Sequence, residues 1–123
     1  MKTIHTDKAP AAVGPYSQAI VSGGLVFTSG QISLDPATGA IVGGTIEEQT
    51  EQVMANLGAV LETAGSGFEK AVKCNCFLSD MGNFAAFNAI YGKYFSGKPA
   101  RSCVAVKTLP KNVLVEVETI AEI

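Results

Sequence analysis

Cysteine is scarce in this sequence, histidine scarcer, and long apolar runs are absent. Three cysteines are too few, and odd in number, for a disulfide framework, which suits a reducing compartment and leads us to expect a cytoplasmic protein. No stretch approaches the roughly 18 uninterrupted apolar residues of a membrane-spanning helix, and the first seven residues carry no apolar run behind a basic start. A protein that is neither secreted nor membrane-bound is expected. A positive field is lacking too: nine Lys and Arg against eleven Asp and Glu give a formal charge of −2, with the signs mixed along the chain. No basic stripe exists to attract a phosphate backbone, so nucleic acid is a poor candidate partner. No internal repeat or low-complexity segment stands out.

What is present is a chain of 123 residues, 47% of them apolar, which is enough for one core and one domain over residues 1–123. Thirteen glycines divide it into short elements. Gln18 to Val21 and Leu25 to Ser29 are β-prone runs around Ser22-Gly23-Gly24 and predict a hairpin whose second strand continues through Gln31 and Ile32. Asp35-Pro36-Ala37-Thr38-Gly39 predicts a turn. Thr45 and Glu48 form a capping box ahead of Ile46, Val53, Leu57, Val60, Leu61 and Ala64 at helical spacing, with Gly65 at the end. Period two over Ala71 to Ser79 predicts a strand with Val72, Cys74, Cys76 and Leu78 on one face and Lys73, Asn75 and Phe77 on the other. Asn83 to Phe95 returns to helical spacing, and Ala100 to Lys107 and Val113 to Ile120 predict two closing strands around Leu109-Pro110-Lys111-Asn112.

The order β-β-α-β-α-β-β predicts an α+β fold, a sheet with both helices on one side. If Val104 and Val106 face the helices, Arg101, Cys103 and Ala105 face away; Val115 and Val117 inward put Leu114, Glu116 and Ile120 outward. Such a face, with Phe77 and Asn75 added, is too apolar for water and too polar for a plain core. Packing against copies of the same chain resolves the conflict and creates clefts suited to small ligands.

Several residues on this face have chemical uses. Arg101 follows the Gly97-Lys98-Pro99-Ala100 loop, and its planar guanidinium fits a carboxylate; an interface salt bridge with Glu116 or Glu118 fits equally well. Glu116 is expected on the same side, either positioning a water or balancing the arginine. Cys103 has no evident base, since His5 is the only histidine and lies in a segment expected to be mobile, so its backbone is the preferred contact. Cys74 and Cys76 read as core because no second ligand cluster accompanies them, and no metal site is expected. Thr28-Ser29-Gly30 lacks the lysine and following helix of a phosphate loop, and a bulge at Gly30 is the plain structural reading.

Five separated motifs coincide: Gly14-Pro15-Tyr16-Ser17-Gln18-Ala19, Thr28-Ser29-Gly30-Gln31, Phe87-Asn88-x-x-Tyr91, Pro99-Ala100-Arg101-Ser102-x-Val104, and Leu109-Pro110 followed by Val115-Glu116-Val117. Together they resemble the reactive intermediate deaminase A family from about the first strand to the last residue. The resemblance implies a chorismate-mutase-like fold, a homotrimer with clefts between subunits, and cofactor-free, metal-free hydrolysis of 2-imino acids to 2-oxo acids and ammonia. The imines arise from enamines released by pyridoxal-phosphate dehydratases acting on serine or threonine. By motif position, Arg101 would clamp the substrate carboxylate beside the Cys103 backbone, Ser29 and Gly30 would line the pocket, and Glu116 would hold the attacking water. Tyr16 and Asn88 match the family's pocket tyrosine and asparagine, one of them coming from the adjacent subunit. A non-catalytic binder or sensor of 2-oxo or 2-imino acids is the competing reading, with an endoribonuclease or translation inhibitor as a third.

Overall fold

The computed structural model describes residues 1–123 and shows one mixed sheet of six strands with two helices packed on one face. The strands are β1 (Lys2–Ile4), β2 (Ala19–Ser22), β3 (Leu25–Thr28), β4 (Ala71–Leu78), β5 (Ala100–Ala105) and β6 (Val115–Glu122), in the spatial order β1-β2-β3-β6-β4-β5. The helices are α1 (Ile46–Thr63), between β3 and β4, and α2 (Phe84–Tyr94), between β4 and β5. All neighbours are antiparallel except β4 and β5, which α2 connects in parallel. The α+β architecture follows the sequence reading. No helix is long and apolar enough to cross a membrane.

The hairpin β2–β3 turns through Gly23 (φ 61°) and Gly24 (φ 78°), the two consecutive positive φ angles that a two-residue hairpin loop matched to strand twist requires. Thr45 caps α1 as expected: the Glu48 amide donates to its hydroxyl at 3.1 Å and its own amide donates to the Glu48 carboxylate at 3.2 Å. The helix closes where the Gly65 and Ser66 amides bond the Glu62 and Leu61 carbonyls. Its apolar stripe, Val53, Leu57, Val60 and Leu61, is fully buried against Val26, Cys74, Cys76, Val115 and Val117 of the sheet.

Four sequence expectations need correction. The N-terminal segment is not mobile: Lys2–Ile4 pairs with β2, Ile4 is buried, and the Gln18 side chain clips the following chain, its Oε1 accepting from the Thr6 amide at 2.8 Å and its Nε2 donating to the Pro10 carbonyl at 2.8 Å. β3 does not continue to Ile32. Phe27 pairs with Ile120 and Gln31 with Val117, so four steps on one strand oppose three on the other, and the extra residue is a bulge at Ser29-Gly30. Val72 does not share the buried face of Cys74, because a register shift between Ala71 and Lys73 turns it outward to 45% exposure.

The fourth correction concerns β5. Arg101, Cys103 and Ala105 lie beside Cys74, Cys76 and Leu78 of β4, whose side chains are buried beneath the helices, and paired residues share a face. Arg101 and Cys103 therefore project to the helix side, and Val104, expected inside, is 48% exposed on the open face. β6 has the expected phase: Glu116, Glu118 and Ile120 alternate with buried Val115, Val117 and Thr119.

Candidate active site

Apart from Cys103, the site residues expected from sequence fall into two groups, each lining its own cleft. The first cleft, of about 670 Å³, is lined by Tyr16, Gln18, Ser29, Gly30, Glu116 and Glu118 among others. The bulge after β3 shapes it. There the Ser29 amide bonds the Gln18 carbonyl at 2.9 Å and its hydroxyl donates to the Ser17 carbonyl, which fixes the Ser29-Gly30 backbone across from β6. A Cβ on Gly30 would overlap the Glu116 carboxylate, so glycine is what lets this acid lie against the bulge. Glu116 receives no hydrogen bond from its own chain; burial raises its carboxyl above the usual carboxylate range, and the negative charge of Glu118 adds to the shift. Tyr16, 54% exposed, stands at the rim.

The second cleft, of about 440 Å³, lies between α2 and β5 and is lined by Asn88, Tyr91, Ser96, Lys98, Pro99 and Arg101 among others. Arg101 donates from Nη1 to Asn88 Oδ1 at 2.6 Å, and its guanidinium carbon lies 4.7 Å from the Tyr91 ring centroid and 5.5 Å from that of Phe84. No carboxylate of the chain lies within 4.0 Å of it; the ion pairs are His5–Asp7 and Lys93–Glu51. Within one chain, the salt bridge to Glu116 or Glu118 is thus not formed.

Cys103 sits half-buried on the outermost strand, and burial raises its thiol, with Arg101 pulling slightly the other way. His5, the only histidine, is paired with Asp7 and supplies no base to it. The backbone is better placed. The Val106 amide bonds the Leu78 carbonyl at 2.9 Å, and alternation then turns the Cys103 amide to the free edge of β5. Cys74 and Cys76 are core, as expected, and no group of three metal-ligating side chains occurs.

Glu116 and Arg101 do not share a side, contrary to expectation. Arg101 aligns through Cys74 with Thr119, three residues along β6 from Glu116. At about 3.3 Å per residue and about 4.8 Å per strand, their Cα atoms are about 14 Å apart in the sheet, with side chains leaving opposite faces. The sequence reading also assigned no role to Phe84 and Tyr91, although Phe84, Asn88 and Tyr91 are spaced four and three apart and so form one stripe of α2. Gln18, likewise unassigned, and Glu118, expected only as an alternative salt-bridge partner of Arg101, line the first cleft.

The family model described as endoribonuclease L-PSP matches residues 6–123. A RutC family protein of Synechocystis is 58% identical, over 98% of this chain and 95% of its own length. Reactive Intermediate Deaminase A, chloroplastic, of Arabidopsis thaliana is 46% identical, over 98% of this chain and 65% of its own. The crystal structure of Escherichia coli TdcF with bound serine superposes with a TM-score of 0.94 at 38% identity, over 100% of this chain and 99% of the other.

Proposed function

Given that the chain belongs to the endoribonuclease L-PSP family, we propose that it is an imine deaminase, hydrolysing 2-iminopropanoate and 2-iminobutanoate to the 2-oxo acids and ammonia. The observation that carries this reading is a pair of unspent charges. Arg101 opens onto one cleft with no carboxylate partner, and Glu116 opens onto the other with no donor. A substrate of three or four carbons does not span about 14 Å and two faces of a sheet. The site is therefore composite: Arg101, Asn88 and the Cys103 amide from one copy meet Tyr16, Ser29, Gly30 and Glu116 from the next. The open face, with Phe27 and Val104 exposed beside Phe77 and Ile120, supplies apolar surface for an assembly of copies, which we take to be a homotrimer.

In that site the guanidinium holds the substrate carboxylate with two in-plane N–H donors. The Cys103 amide, free at the strand edge, donates to a carboxylate oxygen. Glu116 accepts a proton from water as its oxygen bonds to C2 and the C=N π electrons move to nitrogen. With the substrate bound as its iminium, the carboxyl then returns that proton to the resulting amine; the C2–N bond breaks as ammonia leaves, and the Glu116 carboxylate takes the remaining hydroxyl proton as the carbonyl forms, releasing it afterwards to water. Water is consumed and no electron is transferred. An iminium carbon is already electrophilic, so positioning supplies most of the rate. The raised pKa of Glu116 suits a group that must both take and return a proton, which favours an enzyme over a passive binder of the same acids.

The test is continuous detection of imine loss, with the imine generated from threonine or serine by a dehydratase. Arg101→Ala should abolish acceleration while leaving the fold and assembly intact. Full activity in that variant refutes the carboxylate role, and binding of 2-oxobutanoate without acceleration by the parent protein would make it a sensor.

A further inference from the structure

A carboxylate clamp works only if its guanidinium is already in place, since a freely rotating arginine side chain spends binding energy on its own ordering. Resting on the reading of Arg101 as that clamp, we propose that Tyr91 is its positioning residue: the face of the Tyr91 ring is the platform on which the guanidinium lies before an acid arrives. The guanidinium carbon is 4.7 Å from the ring centroid, inside the range of a cation–π contact, and Phe84 flanks it at 5.5 Å. Asn88, three residues before Tyr91 on α2, takes Nη1 at 2.6 Å. One aromatic face and one acceptor fix the plane and its rotation, leaving the other in-plane N–H donors open to the cleft for a bidentate carboxylate.

The platform is itself immobile. Tyr91 is 6% exposed, its ring stacks on Phe95 with centroids 4.6 Å apart and planes at 24°, and it leans on Phe87 at 5.7 Å. Its hydroxyl does no comparable work: it is buried beside the Cys74 thiol, and the Arg101 hydrogen bond goes to Asn88. The ring is thus the working part, and Tyr91→Phe keeps it while Tyr91→Leu removes it.

Titration calorimetry with 2-oxobutanoate and steady-state imine hydrolysis test this together. Tyr91→Leu should raise both the Kd and KM about twofold to tenfold, the cost of ordering one freed arginine side chain, with kcat within about twofold. Tyr91→Phe should restore parental values. The Arg101 side-chain proton resonances, shifted upfield by the ring, should move to their ordinary position in Tyr91→Leu only. If that variant does not fold, Phe84→Leu at the start of α2 should give a smaller rise in Kd and KM in the same direction. Equal losses in the Phe and Leu variants, or a fall in kcat with Kd unchanged, overturn the proposal. Should Arg101→Ala bind 2-oxobutanoate as the parent does, the clamp reading fails instead; an unshifted Arg101 resonance in the parent protein rejects the platform by itself.

Discussion

If each active site is built from two copies, two inactive variants should repair one another. Arg101→Ala leaves the Glu116 side of the site intact, and Glu116→Gln leaves the Arg101 side intact. Their Cα atoms are about 14 Å apart in the sheet and the side chains leave opposite faces, so neither chain completes a site alone. In the proposed assembly each site takes its arginine from one copy and its glutamate from the next. After denaturation and joint refolding of equal amounts, a site is complete only when a Glu116→Gln chain supplies the arginine and an Arg101→Ala chain supplies the glutamate. Random assembly into a closed ring gives this pairing at about one quarter of sites, so about 25% of parental activity should return. The assay is the imine-loss measurement on the mixture, with mass spectrometry of the intact oligomer confirming that chains have mixed. No recovery in a demonstrably mixed oligomer would refute the composite site and place the chemistry inside one chain.

Gly30→Ala should leave the fold intact but displace the Glu116 carboxylate by about 1 Å or more, since its Oε2 would overlap the added methyl outright and its Cδ would lie only 2.7 Å from it against an ordinary contact of 3.4 Å. Such a shift should lower kcat about tenfold to hundredfold, and the effect should vanish in a Glu116→Gln background; additive losses would show that the two residues act separately. The raised Glu116 pKa gives a stability prediction with a defined sign. Below the ordinary value of 4.5 both folded and unfolded states hold the proton and nothing is lost, whereas above the raised value the folded state bears the full penalty of a buried charge. Glu116→Gln should therefore raise Tm relative to the parent at pH 7 but not at pH 4, and turnover by the parent should climb with pH through the same raised pKa; a pH-independent Tm difference contradicts the assignment. Thr45→Ala removes the capping box and should cost about 1 kcal/mol, read as a lower denaturant midpoint at unchanged slope.

Local rules made much of this fold legible. The capping box at Thr45, the glycine turn of the first hairpin and the apolar stripe of α1 are set by contacts within a few residues, and each occurs where the sequence predicts it. The bulge at Gly30 was legible as well, since a glycine within a strand pattern has few other reasons to be there. β1 was not, because three residues with one buried side chain carry no periodic signal and depend on β2 for their structure.

The candidate site divides along the same line. Motif positions nominated Arg101, Cys103, Asn88, Tyr16, Ser29, Gly30 and Glu116 as candidates, and chain alternation gave each strand two faces. Which face belongs to which layer was decided by the tertiary structure. Val104 and Val106 suggested a buried phase, yet β5 is an edge strand, and its parallel pairing with Cys74 and Cys76 carries Arg101 to the helix side and leaves Val104 outside. Period two fixes relative facing within a strand but not absolute facing, which comes from the neighbour's register. That single phase separates Arg101 from Glu116, brings Arg101 onto Tyr91, and makes a second copy of the chain a requirement of the proposed chemistry.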